Sequence, residues 1–64
     1  MALNKRLRTA RVLQGLTQLE LAEKIDAKEI EVSRIETGRV QPDARVKRRI
    51  AEVLQKPVFE LFEA

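Results

Sequence analysis

Cysteine, histidine, tryptophan and tyrosine are all absent from the 64 residues, and glycine and proline occur only twice each. Without cysteine there is no disulfide to staple the chain and no thiolate to hold a metal. The lack is compatible with a reducing compartment. Without histidine the commonest metal ligand and the commonest general base are missing as well. No apolar run approaches the ~20 residues that a membrane-spanning helix needs. The basic start, Met1 to Arg6, is not followed by the apolar stretch of a secretion signal, so a cytoplasmic protein is expected. A chain this short buries only ~60% of the surface its unfolded form exposes, which leaves a thin stability margin for one domain spanning residues 1–64. Good helix packing, or association with a second copy, has to supply the rest.

What is present is charge, 13 basic against 10 acidic residues for a net +3. Its distribution is uneven. Lys5, Arg6, Arg8 and Arg11 occupy the first nineteen residues with no acid among them. Glu20, Glu23, Asp26, Glu29, Glu31 and Glu36 then outnumber Lys24, Lys28 and Arg34, and Arg39, Arg45, Lys47, Arg48 and Arg49 restore the positive sign. A surface for a polyanion has to be assembled mainly from the two flanks.

Apolar spacing predicts five short helices and no strand. Leu3, Leu7, Ala10 and Leu13 recur at helical intervals, and Gly15 stops that first helix. Thr17 is a good N-cap, and Glu20 three residues later completes a capping box for a second helix with Leu21, Ala22 and Ile25 on its inner face. Asp26 and Glu29 repeat that spacing, so a third helix starts almost at once, with Val32 and Ile35 inward and Gly38 closing it. Asp43 caps a fourth helix carrying Val46, Ile50, Val53 and Leu54. Pro57 opens a one-turn fifth, with Val58, Leu61 and Phe62 for burial.

Two helices joined by a few residues, with a small residue at the crossing, form a helix-turn-helix unit, here Thr17 to Thr37 with Ala22 at the crossing and Asp26 in the turn. Aspartate tolerates the left-handed backbone that such a turn demands, though less readily than glycine. Over Leu3 to about Phe62 the sequence resembles the helix-turn-helix domains of phage repressor and Cro proteins. The resemblance rests on Leu3-x-x-Arg6-Leu7-Arg8, Gly15-Leu16-Thr17-Gln18-x-x-Leu21-Ala22-x-x-Ile25, Val32-Ser33-Arg34-Ile35-Glu36-x-Gly38, and Ile50-Ala51-x-x-Leu54 before Glu60-Leu61-Phe62. The middle two blocks carry most of its specificity.

That resemblance implies an all-α, five-helix, repressor-like domain that binds double-stranded DNA, with the third helix in the major groove. Base-reading positions would be Lys28, Glu29, Ile30, Ser33 and Arg34. Arg34, and less specifically Lys28, suits guanine O6 and N7. Glu29 suits a cytosine amine, and Ile30 a thymine methyl. Thr17, Gln18, Thr37 and Arg39 would meet phosphates. Arg11 and Glu36 match a buried ion pair that locks the reading helix to the scaffold.

Several positions depart from the pattern. Lys28 replaces the usual capping hydroxyl, which shifts the expected cap to Asp26 and the helix start forward. Glu29 reads equally as a base contact or a solvated cap, and Glu31 as a rim charge that tunes repulsion. Leu19 and Ile30 are apolar where the family is polar, and packing on each other is favoured over a thymine contact for Ile30. Lys47 stands in a leucine position, so the fourth helix is expected to turn Val46 inward. Arg45 to Arg49 reads as a solvated face, with Arg48 and Arg49 in helical reach of Glu52. Phe59, with Val58 and Phe62, either completes the core or forms a self-association patch. The second reading is favoured, as a homodimer on a two-fold-symmetric operator. No cofactor or metal is implied. Carboxylate pairs such as Glu20 with Glu23 belong to ordinary surface helices, which argues against an enzyme. A protein-binding module, or an antitoxin whose main partner is a protein, is the alternative function. A basic amphipathic first helix lying on a membrane ranks lower, because the core needs its apolar face.

Overall fold

Asn4 starts the first helix: its side-chain oxygen accepts the N–H of Leu7 at 3.0 Å, satisfying one of the orphan donors of the first turn. The structure is a computed structural model describing residues 3–62. From Asn4 the chain runs through α1 (Lys5–Leu13), α2 (Gln18–Lys24), α3 (Glu29–Glu36), α4 (Ala44–Leu54) and α5 (Val58–Leu61), with no strand among the described residues. No helix among them is long and apolar enough to cross a membrane.

The other starts follow from local chemistry. Thr17 and Glu20 form the reciprocal box, with Glu20 N–H donating to the Thr17 hydroxyl at 3.0 Å and Thr17 N–H to the Glu20 carboxylate at 2.9 Å. Asp43 accepts the N–H of Val46 at 2.9 Å, and Pro57 precedes the single turn of α5. The ends repeat one device. After α1, α2, α3 and α4 a residue with φ between 57° and 78° (Gly15, Asp26, Gly38 and Gln55) turns the chain into the left-handed region. The next N–H then reaches back five residues: Leu16 to Arg11, Ala27 to Ala22, Arg39 to Arg34 and Lys56 to Ala51, at 2.8–3.2 Å. Carbonyls that helix ends leave unpaired are thereby satisfied.

Leu7, Leu21, Val32, Ile50, Leu54 and Leu61 are completely buried, so all five helices contribute to one core. Each such side chain stabilises the fold by roughly 1.5–3 kcal/mol relative to exposure. Ala22 has no exposed surface where α2 meets α3, and its small side chain permits the close crossing. Val46 is half-buried against the core, as the lysine at position 47 implied, and the Lys47 ammonium lies 5.5 Å from the centre of the Phe62 ring.

Four sequence expectations need correction. Leu3 and Leu13 stay exposed, Leu13 at 74%. Leu3 precedes the cap, and at about 100° per residue Leu13 stands about 120° round the helix from Leu7, whereas Arg11 is only about 40° away. Arg11 therefore takes the inner position. The third helix does not start early: Lys28 is its N-cap, and Asp26, with φ 59°, ends α2 instead. Glu31 consequently caps rather than only tuning repulsion, since it accepts the Lys28 N–H at 3.3 Å, while lysine has no side-chain oxygen to return the bond. Neither Arg48 nor Arg49 is within 4.0 Å of Glu52; Arg49 instead donates to the Ile25 carbonyl at 3.3 Å.

Candidate nucleic-acid interface

The outer surface of α3 is defined by what its inner surface must bury. Val32, Ile35 and Glu36 face the core, and helical spacing then leaves Lys28, Glu29, Ile30 and Arg34 exposed and Ser33 half-buried on the other side. Ile30 and Arg34 are one turn apart, as are Glu29 and Ser33, so one face presents a cation, a carboxylate, a hydroxyl and an aliphatic group together. Leu19 and Ile30 are both about half exposed and lie outside the core.

The corner that aims this face is held at both sides of its turn. Ala27 N–H donates to the Ala22 carbonyl at 2.8 Å, and Asp26 supplies the left-handed step. From α4, the Arg49 guanidinium reaches the Ile25 carbonyl at the C-cap of α2. The sequence pattern puts Arg49 on a solvated face in helical reach of Glu52, not at the end of α2. No periodicity reveals a side chain that snorkels back to a neighbouring helix end.

Glu36, at the far end of α3, gathers three segments. Arg11 donates to it through Nε at 2.6 Å and Nη2 at 3.3 Å, a two-pronged charge-assisted contact in which both residues are under a tenth exposed. The Nη1 of Arg11 donates to the Leu16 carbonyl at 2.7 Å, and the Gln18 amide donates to Glu36 at 3.1 Å. Asn4 adds a backbone link, its N–H donating to the Glu36 carbonyl at 2.8 Å, while its side-chain amide donates to the Leu61 carbonyl at 2.9 Å. Sequence reasoning missed Asn4, although an asparagine just before the first helical residue is a recognisable cap signal.

Of the positions assigned to phosphates, Gln18 and Thr37 line one open groove. Thr37 donates its hydroxyl to the Arg34 carbonyl at 3.2 Å, and Gln18 is half-buried beside Glu36. Thr17 and Arg39 are exposed and lie outside that groove. The hydrogen bonds from Thr17, backbone first and then hydroxyl, lower the pKa of Glu20, with a smaller contribution from Lys24, so this carboxylate is held ionised at the start of α2.

At the opposite end, Phe59 projects with 65% of its surface exposed. Val58 and Phe62 are half-buried against the core. The three residues assigned to self-association are therefore not equivalent: only Phe59 stands clear of the core, which removes the alternative that it turns inward.

A helix-turn-helix family profile matches residues 7–61. The chain belongs to the helix-turn-helix family, of the Cro and C1 type, a DNA-binding family that points to a regulator of transcription and not to an enzyme. Among solved structures it is similar to Bacillus thuringiensis PlcR in complex with the peptide PapR7 and DNA, with a TM-score of 0.83 and 42% identity. That match covers 94% of this chain and 21% of the other, so this chain spans about a fifth of that protein's length. Among curated proteins no significant relative was found.

Proposed function

We propose that the domain binds double-stranded DNA sequence-specifically and acts as a repressor-like regulator of transcription, as a homodimer on a two-fold-symmetric operator. One observation carries this reading. Glu29, Ile30 and Arg34, with Lys28 at the N-cap, form the exposed side of a helix whose other face is buried and whose end is clamped by Arg11 and Gln18. A rigid, polar, outward helix with a bidentate donor meets the geometric demand of the major groove, which admits an α-helix and offers guanine two acceptors to an arginine. Gln18, Thr37, Thr17 and Arg39 are the phosphate contacts that would fix its register. PlcR, 42% identical to this chain over the matched region, was solved in complex with DNA, which supports DNA binding as the function. Exposed Phe59 supports the dimer, in which two reading helices would face successive major grooves ~34 Å apart. A cytoplasmic location accompanies this reading.

Selection of bound sequences from random duplex DNA tests it. The expected result is a pair of inverted half-sites about one helical turn apart; a selected pool without sequence preference overturns the reading. The exposure of Phe59 also favours a second reading, a protein partner gripped at α5. That partner would bind with weak salt dependence, whereas DNA affinity falls with a log–log slope of about 0.9 per phosphate contacted.

A further inference from the structure

We infer that α1 carries a second strip of DNA-backbone contacts, with Lys5 and Arg8 as phosphate ligands beyond the two-helix corner. The inference rests on the DNA-binding reading and deepens it. An open groove of about 820 Å³ joins the edge of α1 to the Gln18 and Thr37 positions, and Lys5, Arg8 and Thr9 line its α1 side. Lys5 and Arg8 are exposed and lie one turn apart on the same edge of the helix. Among the described residues the one carboxylate lining this groove is that of Glu36, and it already accepts from Arg11 and Gln18. With that pair neutralised, the groove keeps two uncompensated cations and an exposed hydroxyl, a composition suited to a phosphodiester strand. Val12, next along the edge and also exposed, offers a nonpolar neighbour to a deoxyribose.

The strip is also fixed in position relative to the reading helix. The Asn4 N–H binds the Glu36 carbonyl at 2.8 Å, and the Arg11 side chain binds the Glu36 carboxylate seven residues further along. The edge of α1 is thus pinned to the end of α3 at two points. A phosphate held by Lys5 or Arg8 would set the distance of α3 from the groove, not only add attraction.

Lys5→Gln and Arg8→Gln, measured in the full chain against the best selected duplex over a range of salt, test the inference. Lys24→Gln serves as the control, an equal loss of charge at a residue outside this groove. Each α1 variant should reduce the log–log salt slope by about 0.9 per protomer, or about 1.8 for the bound dimer, and weaken binding about tenfold per protomer near 0.1 M salt. The loss should be the same for selected and unrelated duplexes, and Lys24→Gln should keep the wild-type slope. Wild-type binding with unchanged slopes in both α1 variants overturns the α1 strip and leaves the DNA-binding reading standing. Slopes reduced equally by Lys24→Gln also overturn it, since net charge alone would then account for the effect. Wild type that ignores every duplex at low ionic strength overturns both. So does a folded wild type that uses the groove to bind an acidic polypeptide in place of DNA.

Discussion

Arg11 of α1 and Glu36 of α3 meet at 2.6 Å with their side chains 10% and 5% exposed, 25 residues apart in sequence. Their value to this domain lies in position more than in net attraction. Removing two charges from water offsets much of what the pair returns, yet stranding one of them is expensive. Arg11→Met should therefore cost about 3–5 kcal/mol, because Glu36 would stay buried with only Gln18 to answer it. A domain of this size has a total stability of only about 3–10 kcal/mol, so the variant should be largely unfolded by circular dichroism at 37 °C. The double variant Arg11→Met/Glu36→Leu should recover most of the helical signal, since two apolar groups can replace a buried pair at little cost. A double variant no more stable than the single would show that the pair itself is indispensable.

The helix ends give opposite expectations for two nearby substitutions. Gln55 adopts φ 57° without being glycine, a conformation that costs an L-residue about 1–2 kcal/mol. Gln55→Gly removes that strain and loses about 0.5–1 kcal/mol to the freer unfolded chain, for a net gain of about 0.5–1 kcal/mol. Gly15→Ala should lose about 1–2 kcal/mol in backbone conformation and regain about 0.5–1 kcal/mol from the stiffer unfolded chain, for a net loss of about 0.5–1 kcal/mol, since nothing lies within 4 Å of where its Cβ would stand. Thermal unfolding should raise the midpoint of the first variant by a few degrees and lower that of the second.

These elements also mark how far the sequence can be read. Positions governed by neighbours three or four residues away were legible: the Thr17–Glu20 box, the stops at Gly15 and Gly38, the inner pair Val32 and Ile35, and the cap at Asp43. What was not legible depends on segments meeting from afar. Leu13 was placed inward because its spacing from Ala10 is helical, but the true inner face is set by Leu7 and Arg11, and a buried arginine is recognisable only through its distant partner Glu36. Asp26 and Lys28 competed to cap α3. The outcome turned on the left-handed end of α2, where Asp26 was needed for another purpose. Asn4 and Arg49 bind backbone carbonyls of other segments and leave no periodic trace.

Glu20 makes stability depend on pH in a defined direction. Its folded pKa is lowered by the Thr17 hydrogen bonds, so its contribution is fully present above the ordinary carboxylate range and is lost as pH falls through the folded value. Glu20→Gln should accordingly be less stable than wild type at pH 7, and the difference should shrink on acidification below the carboxylate range. Melting curves of the two proteins at neutral and acidic pH provide the comparison. A gap that widened in acid would contradict this account of the capping box.

Phe59 is exposed, whereas Val58 and Phe62 are half-buried, so Phe59→Asp tests association without touching the core. The variant should keep wild-type helicity and sediment as a monomer under conditions where wild type is dimeric. Its affinity for a full operator should fall towards that for a half-site. A dimeric Phe59→Asp protein would move the interface elsewhere on the molecule.

Arg34 gives the most direct test of which way α3 faces. It is exposed on the side opposite Val32 and Ile35, in reach of a base edge if the helix enters the groove. A bidentate contact to guanine would make Arg34→Ala lose about 1–3 kcal/mol of binding on the best site and relax the preference at one base position. Binding to unrelated duplexes should hardly change. If the loss were instead equal on all sequences and the salt slope fell by about 0.9 per protomer, Arg34 would be a phosphate ligand and the helix would lie rotated or tilted in the groove. Repeating the random-duplex selection with Arg34→Ala separates the two, because only a base-reading arginine leaves a single degenerate position in the selected half-site.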